Sequence, residues 1–398
     1  MFVSVARLAD PEGAGKARLL AVGGSRQRGV VVSASYEARA YGVRAGMPSA
    51  RAVRLCPGLV FAPVPRGAIG AKHREIRAVL ERWSPVVEGA SVDEFYLDLS
   101  GTERVYRDAP LAETARRIRE EVLESTGMAL SIGGGTNRLV AKLAAERAKP
   151  RPNTEGNGVL IVPPGGEAAF LATHALAELP GVGPKLQAVL KRYGLTRVTE
   201  TLKLDAATLE LWLGPGTGRW LYERIRGRAS EVVHHAPENH SISHETTFSR
   251  DLVSDDAIET RLLGLVTSLA GQLRADGLAT RCVTVKLRDH DFRTRQASRT
   301  LPEPLVTDRA LYQVARELLE QLRRRRRTAA RLVGVSFSSL DSGSGPAQLA
   351  LLAPEGPGKE TARDKRLATA VDDIKEKMGG KAIRPARLLP KSDEPPSP

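Results

Sequence analysis

Ala90-Ser91-Val92-Asp93-Glu94-Phe95-Tyr96-Leu97-Asp98-Leu99-Ser100 places two adjacent carboxylates inside an apolar, aromatic-rich run that otherwise reads as a strand. Successive side chains of a regular strand point to opposite faces, so Asp93 and Glu94 cannot serve one site from mid-strand. At a strand end or hairpin tip they can converge. The stretch therefore reads as a hairpin, with Val86-Val87 in one arm, Phe95-Tyr96-Leu97 in the other and the acids at the crest. Carboxylates held this close repel unless a cation neutralises them. Their hard oxygens favour Mg²⁺, which commonly takes substrate phosphates as further ligands. A strand carrying an exposed acidic pair is the plainer alternative.

Helices flank this hairpin. Residues 71–83 carry Ile76, Val79, Leu80 and Trp83 at helical spacing, and residues 111–125 carry Leu111, Ala115, Ile118 and Val122. A strand over Met128–Ile132 is expected next, then Gly133-Gly134-Gly135, then a helix from Arg138 to Ala148 capped by Thr136 or Asn137. On the N-terminal side, a helix ends at a turn around Asp10-Pro11-Glu12-Gly13. Short strands then fall in Leu19–Val22 and Gly29–Ala34, and helices open at Ser35 and Pro48. Helices alternating with strands around one acidic hairpin describe an α+β domain.

The Pro/Gly/Asn stretch from Pro150 to Gly158 reads as a boundary, and residues 168–230 read as compact and helical. Within them, Leu179-Pro180-Gly181-Val182-Gly183-Pro184-Lys185 precedes an apolar-periodic helix, the helix-hairpin-helix pattern. Backbone amides of such a turn, ahead of a helix N-terminus, make a cradle for phosphate, with Gly181, Gly183 and Lys185 at its rim and Arg192 nearby. A plain Pro-Gly connection is the bland counterpart. From Ser241 the order is strand, helix, two strands, helix, strand. Val283, Val285 and Leu287 face inward there, with Lys286 and Arg288 outward. Arg293, Arg295 and Arg299 share a face of the next strand, not necessarily that of Lys286. A sheet with helices on one side and arginines on the other can lie along a duplex backbone, although an Arg-rich solvated face would look the same. Arg323–Arg327 reads as a basic run ending the second helix near DNA. After Ser342 the chain turns low in complexity, apart from Gln348-Leu349-Ala350-Leu351-Leu352, an apolar pentapeptide of the kind that docks in a partner's groove. A short amphipathic helix through Leu367, Val371, Ile374 and Met378 is expected beyond it, and disorder from Pro390 to Pro398.

Charge narrows the partner. Sixty Lys and Arg against 46 Asp and Glu give a net charge of +14, which favours a polyanion such as nucleic acid. Cys56 and Cys282 are the only cysteines and form no CxxC, which fits a reducing cytosol and disfavours structural zinc. No apolar run reaches the ~18 residues of a membrane span. The chain is expected to be cytoplasmic and monomeric, with no membrane partner, and its 398 residues suffice for several domains.

Taken together, these segments resemble the Y-family translesion DNA polymerases from about Phe2 to Leu340. Ser33-Ala34-Ser35-Tyr36-Glu37-Ala38-Arg39 with Gly42-Val43-Arg44-Ala45-Gly46-Met47-Pro48 looks like the family's fingers signature. Ser91-Val92-Asp93-Glu94 looks like its palm acidic motif, Ala148-Lys149-Pro150 like its palm lysine, and Ser241–Phe248 like the entry to its little finger. The resemblance implies a right-hand polymerase: fingers over 1–66 with a remnant of the palm N-terminus, palm over 67–157, and helical thumb over 158–232. A linker over 233–240, a βαββαβ little finger over 241–341 and a flexible tail over 342–398 would follow. It further implies template-directed addition of dNTPs to a primer 3′ end, in DNA damage tolerance and repair, with two Mg²⁺ per active site and primer-template DNA as partner. Asp93 and Glu94 would be the catalytic and metal-binding carboxylates. Ser33, Tyr36, Arg39 and Lys149 would contact the triphosphate, and Phe2 would exclude a 2′-hydroxyl. Gln348, Leu349, Leu351 and Leu352 would bind the sliding clamp, with Leu352 in place of the usual phenylalanine.

One departure stands out. The family opens on a strand with an Asp-x-Asp-x-Phe motif whose first Asp binds metal, and Met1-Phe2 here aligns with the aromatics after it. Asp10 lies beyond the following helix and cannot substitute. Taken at face value, this implies a catalytically impaired, polymerase-like clamp adaptor as the alternative function.

Overall fold

The computed structural model describes residues 1–25, 28–150, 157–233, 239–342, 360–380 and 382–389. They fall into two compact units, Met1–Pro237 and Glu238–Pro398. The pentapeptide at 348–352 and the terminal stretch from Pro390 lie outside the described residues.

The first unit opens with α1 (Phe2–Ala9), then β1 (Leu20–Gly23), β2 (Val31–Ala34), α2 (Tyr36–Ala40), α3 (Ser49–Leu55) and β3 (Val60–Ala62). The three strands form one sheet in the order β2-β1-β3, with β1 buried throughout. Ser35 caps α2 by accepting from the Ala38 amide, as a serine before a helical run should. Asp10 follows α1, and its carboxylate accepts from the Gly13 and Ala14 amides, which hold it below the ordinary aspartate range. It closes a turn.

Next come α4 (Arg66–Leu80), β4 (Val86–Gly89), β5 (Phe95–Asp98) and α5 (Leu111–Thr126), then β6 (Ile132–Gly134), α6 (Arg138–Ala148) and β7 (Val159–Ile161). β4 and β5 pair antiparallel, from Val86 opposite Asp98 to Gly89 opposite Phe95, so the acidic residues do crown a hairpin. α4 and α5 bury Ile69, Ile76, Val79, Leu80, Ile118 and Val122 in one core with Trp83 and Val87. Asn137 caps α6 through the Val140 amide.

β6 departs from the sequence expectation. It begins at Ile132, where the reading ended a strand, and continues through the glycines. The reason is contact: a Cβ on Gly133 would lie 2.0 Å from the Ala145 backbone nitrogen, so β6 runs directly against α6. β7 pairs parallel with β6, so the chain returns to this sheet after residue 157. Gly133→Ala should therefore destabilise the first unit by roughly 1–3 kcal/mol, because backbone must move. Urea unfolding measures this, and a change within error would contradict the contact.

Helices α7 (Glu167–Ala172), α8 (Pro184–Arg192), α9 (Val198–Thr201), α10 (Ala206–Leu213) and α11 (Pro215–Ile225) complete the unit around Leu171, Leu190, Leu209, Leu221 and Ile225. Gly181 has φ +96°, and a Cβ there would meet the Trp220 ring at 2.6 Å. Both facts demand glycine at that turn.

The second unit runs β8 (Ser241–Leu252), α12 (Asp255–Ala275), β9 (Ala279–Asp289), β10 (Thr294–Leu305), α13 (Asp308–Arg325) and β11 (Ala330–Asp341). This is the expected βαββαβ order, in one antiparallel sheet β10-β9-β11-β8. Both helices bury their apolar stripes, Ile258 to Leu273 and Leu311 to Leu322, in a common core with Val283, Val285 and Leu287.

Register settles which face the arginines take: Arg295 lies opposite Leu287 and Arg299 opposite Val283, on the face that meets the helices and not with Lys286 and Arg288, which sets Arg295 apart from the expected DNA-contact residues. Arg295 pairs with the wholly buried Asp289 at 2.8 Å and donates to backbone carbonyls of Leu322 and Arg326, while Arg299 pairs with Glu317 at 2.7 Å. Part of the basic run is committed within the unit, while Arg324, Arg325 and Arg327 remain exposed. Arg323 and Arg327 both hold Asp255, Arg326 holds Asp289 and Asp291, and Arg326 keeps the Asp291 carboxyl down at about 2.

The described part of the C-terminal segment is folded rather than free. α14 (Ala362–Met378) is anchored by Asp372 on Arg274 at 2.6 Å, and ahead of it Glu360 accepts from the Val306 and Thr307 amides at the start of α13. The face turned inward carries Asp364, Ala368, Val371, Asp372 and Ile374, whereas Leu367 and Met378 are exposed. Polar anchors, not the expected apolar stripe, fix this helix. A last turn at Ala386–Leu388 returns to α12, where Arg387 meets Asp256 and Glu259.

Candidate active site

The crest closes by its own hydrogen bonds. Ala90 and Ser91 amides donate to the Glu94 carbonyl at 2.9 and 3.3 Å, and Ser91 Oγ donates to Asp93 Oδ1 at 2.9 Å. A tight turn of this kind lets neighbouring carboxylates leave the strand alternation and stand together at the exposed tip. Glu94 is paired to Lys142 Nζ at 2.6 Å. Burial pulls the Lys142 ammonium down, but the hydrogen bond and charge of Glu94 more than offset it and leave its pKa raised.

Three other elements carry the remaining expected site residues. Burial lowers the α-ammonium of Met1; Asp93 acts on it in the opposite sense, and Arg39 and Lys149 lower it further, so each of these charges lies within electrostatic reach of Met1. Arg39 stands on α2, where its guanidinium lies 5.3 Å from the Tyr36 ring centroid and its Nε donates to the Ala34 carbonyl at 3.0 Å. Tyr36 itself is exposed, and Ser33 is half-buried on β2. Lys149 is the C-cap of α6 and pairs with Glu146. Phe2 is partly buried, packed with Met1 against the core under α4 and β4.

Two residues at the crest had no role in the sequence reading. Lys142 precedes Lys149 by two helical turns, so helical periodicity alone puts it on the same side of α6. His73 on α4 touches the crest at the Val92 carbonyl, and its place between Ile69 and Ile76 was the available signal.

The oxygen donors fit a hard divalent cation. Two adjacent carboxylates and a serine hydroxyl suit Mg²⁺-type chemistry when water or substrate phosphate completes the shell. Among the described residues no three His, Cys, Asp or Glu side chains form a ready-made cage.

At the Gly181–Lys185 turn, Val182 is buried and Gln187 Nε2 donates to its carbonyl at 2.8 Å, while Gly181, Gly183 and Lys185 are exposed. Gly183 caps α8, so first-turn amides without helical acceptors face outward. On the second unit, Lys286 and Arg288 share the helix-free face with Thr284, Thr294, Gln296 and Ser298. Lys286 pairs there with Glu245 at 2.9 Å, and Arg288 Nε donates to Thr294 Oγ1 at 2.8 Å. Arg293 is exposed just ahead of β10.

Comparison with known proteins identifies the family. Residues 1–146 match the impB/mucB/samB family model, and residues 239–351 match the model of that family's C-terminal domain. The DNA polymerase IV of Caulobacter vibrioides is 34% identical over 92% of this chain and 87% of its own length. That of Treponema denticola is 31% identical over 99% and 95%. Among solved structures, a Y-family DNA polymerase chimera of Dbh and Dpo4 superposes with a TM-score of 0.74, at 25% identity, covering 85% of this chain and 96% of that one. An insertion ternary complex of Dbh DNA polymerase gives 0.59 at the same identity, over 85% and 95%. No helix among the described residues is long and apolar enough to cross a membrane. The chain belongs to the impB/mucB/samB family of Y-family polymerases and is a DNA-directed DNA polymerase of the translesion type.

Proposed function

We propose that this chain extends a primer 3′ end by template-directed, error-prone addition of dNTPs, with Asp93 and Glu94 as its metal-binding carboxylates. The observation that supports the assignment is the pair of adjacent carboxylates at the exposed hairpin tip, with Glu94 held by Lys142 of α6 at 2.6 Å and the charges of Asp93, Arg39 and Lys149 all within electrostatic reach of Met1. Divalent-metal dependence goes with the family. We assign the ions as two Mg²⁺, which when bound stabilise charge on the transferring phosphoryl group.

The protein's own groups divide the remaining work. Arg39 and Lys149 neutralise triphosphate charge, and the hydroxyls of Ser33 and Tyr36 donate to phosphate oxygens. Tyr36 braces Arg39 through its ring. Phe2, fixed against the core, stands beside the sugar and disfavours a 2′-hydroxyl. Lys142 compensates Glu94 until cations do so. Gly181, Gly183 and Lys185 grip one stretch of DNA backbone, and Lys286, Arg288 and Arg293 another. Arg295 is withdrawn from that set, because its guanidinium is committed to Asp289. The relatives matched here are DNA polymerases, and none supports the clamp-adaptor alternative.

Primer extension by the natural gene product, with any residues ahead of Met1 retained, tests this reading. Matched-nucleotide addition should require a divalent ion and stop with chelator; no addition under any metal would refute it. A second experiment addresses the tail, where residues 348–352 are proposed to dock on a sliding clamp. Their deletion should remove clamp stimulation and leave clamp-free extension unchanged. Equal loss in both assays would count against a docking peptide.

A further inference from the structure

We infer that His73 is a positioning residue for the acidic crest, an inference that rests on the metal-binding role proposed for Asp93 and Glu94. The crest's own bonds join residues 90, 91, 93 and 94. Val92, at the apex, is held from outside: His73 Nδ1 lies 3.1 Å from its carbonyl oxygen. A carbonyl only accepts, so Nδ1 carries the hydrogen. The same ring stacks on Phe95, with centroids 4.8 Å apart and planes 20° from parallel. It also covers Gly89, where a Cβ would sit 3.6 Å from His73 Cε1. One side chain on α4 therefore touches the end of β4, the apex of the turn and the start of β5.

The apex needs such an anchor. Val92 is 44% exposed and gains little from burial, so packing alone does not fix the turn. Asp93 follows directly, and Glu94 is tied to Lys142. The crest is thus held at two points outside the hairpin, by His73 through the backbone of the residue before Asp93 and by Lys142 through the Glu94 side chain. Ligands of a metal must be placed to within a fraction of an ångström to be effective, and groups that orient them are worth roughly 10–100-fold in affinity or activity.

Two variants separate anchoring from simple packing. His73→Asn retains an N–H donor at the position of Nδ1 but loses the ring, whereas His73→Leu retains apolar bulk and loses the donor. In the polymerase bound to primed template with matched dNTP, His73→Leu should raise the Mn²⁺ dissociation constant read by electron paramagnetic resonance about tenfold. Hydrogen exchange at Val92–Phe95 should quicken even without metal, and His73→Asn should recover most of both effects. Unchanged metal affinity in His73→Leu would overturn the inference, as would failure of His73→Asn to restore it. The metal-free exchange measurement reads the anchor by itself. If exchange quickens while Asp93→Asn still extends primers, the metal assignment has failed and the anchor has not.

Discussion

Asp93→Asn should reduce metal-dependent primer extension by roughly a thousandfold or more while leaving the fold and DNA affinity intact. The substitution preserves shape, and the Asn oxygen can still accept the Ser91 hydroxyl that holds Asp93 in the turn. What disappears is the charge proposed to bind a cation beside the triphosphate. Removing even one neutral transition-state donor costs about 10²–10³ in rate, and a metal ligand carries more of the developing charge. Single-turnover extension measures the loss, with thermal unfolding and template binding as controls. Near-normal extension would place the metal site elsewhere.

The second large effect concerns stability. Asp289→Ala should destabilise the second unit by roughly 3 kcal/mol, since it leaves the largely buried Arg295 guanidinium without its carboxylate, whereas Arg326 keeps Asp291. Asp289 is fully buried, and Arg295 and Arg326 reach it at 2.8 and 2.7 Å from β10 and from the end of α13. The pair also explains why so arginine-rich a segment is not all available to DNA. Denaturation of the whole chain, followed by a probe in the second unit, reads the change. A loss below about 1 kcal/mol would mean that water replaces the carboxylate at little cost.

Local chemistry made much of this molecule readable from its residues. Ser35 and Asn137 announce α2 and α6 because a capping oxygen beside an apolar period has few other uses. The acidic crest is readable because two carboxylates in mid-strand would point to opposite sides. What escaped depends on register and on contacts distant in sequence. Arg295 looks like a surface residue until β10 is set against β9, when its partner is seen to be Leu287. Gly133 looks like a turn until α6 is laid across it. The segment from Glu360 onward reads as a tail because its attachments are single polar contacts to α12 and α13, such as Asp372 on Arg274, which leave no periodic signature. His73 and Lys142 likewise acquire meaning only once their helices flank the crest.

Calorimetric titration of matched dNTP into the natural gene product on a chain-terminated primer-template, with and without Mg²⁺, shows whether nucleotide binding depends on a cation held by Asp93. Saturable, template-matched uptake that requires the metal and is lost in Asp93→Asn is expected. Uptake of equal strength without Mg²⁺, or in Asp93→Asn, would contradict that dependence.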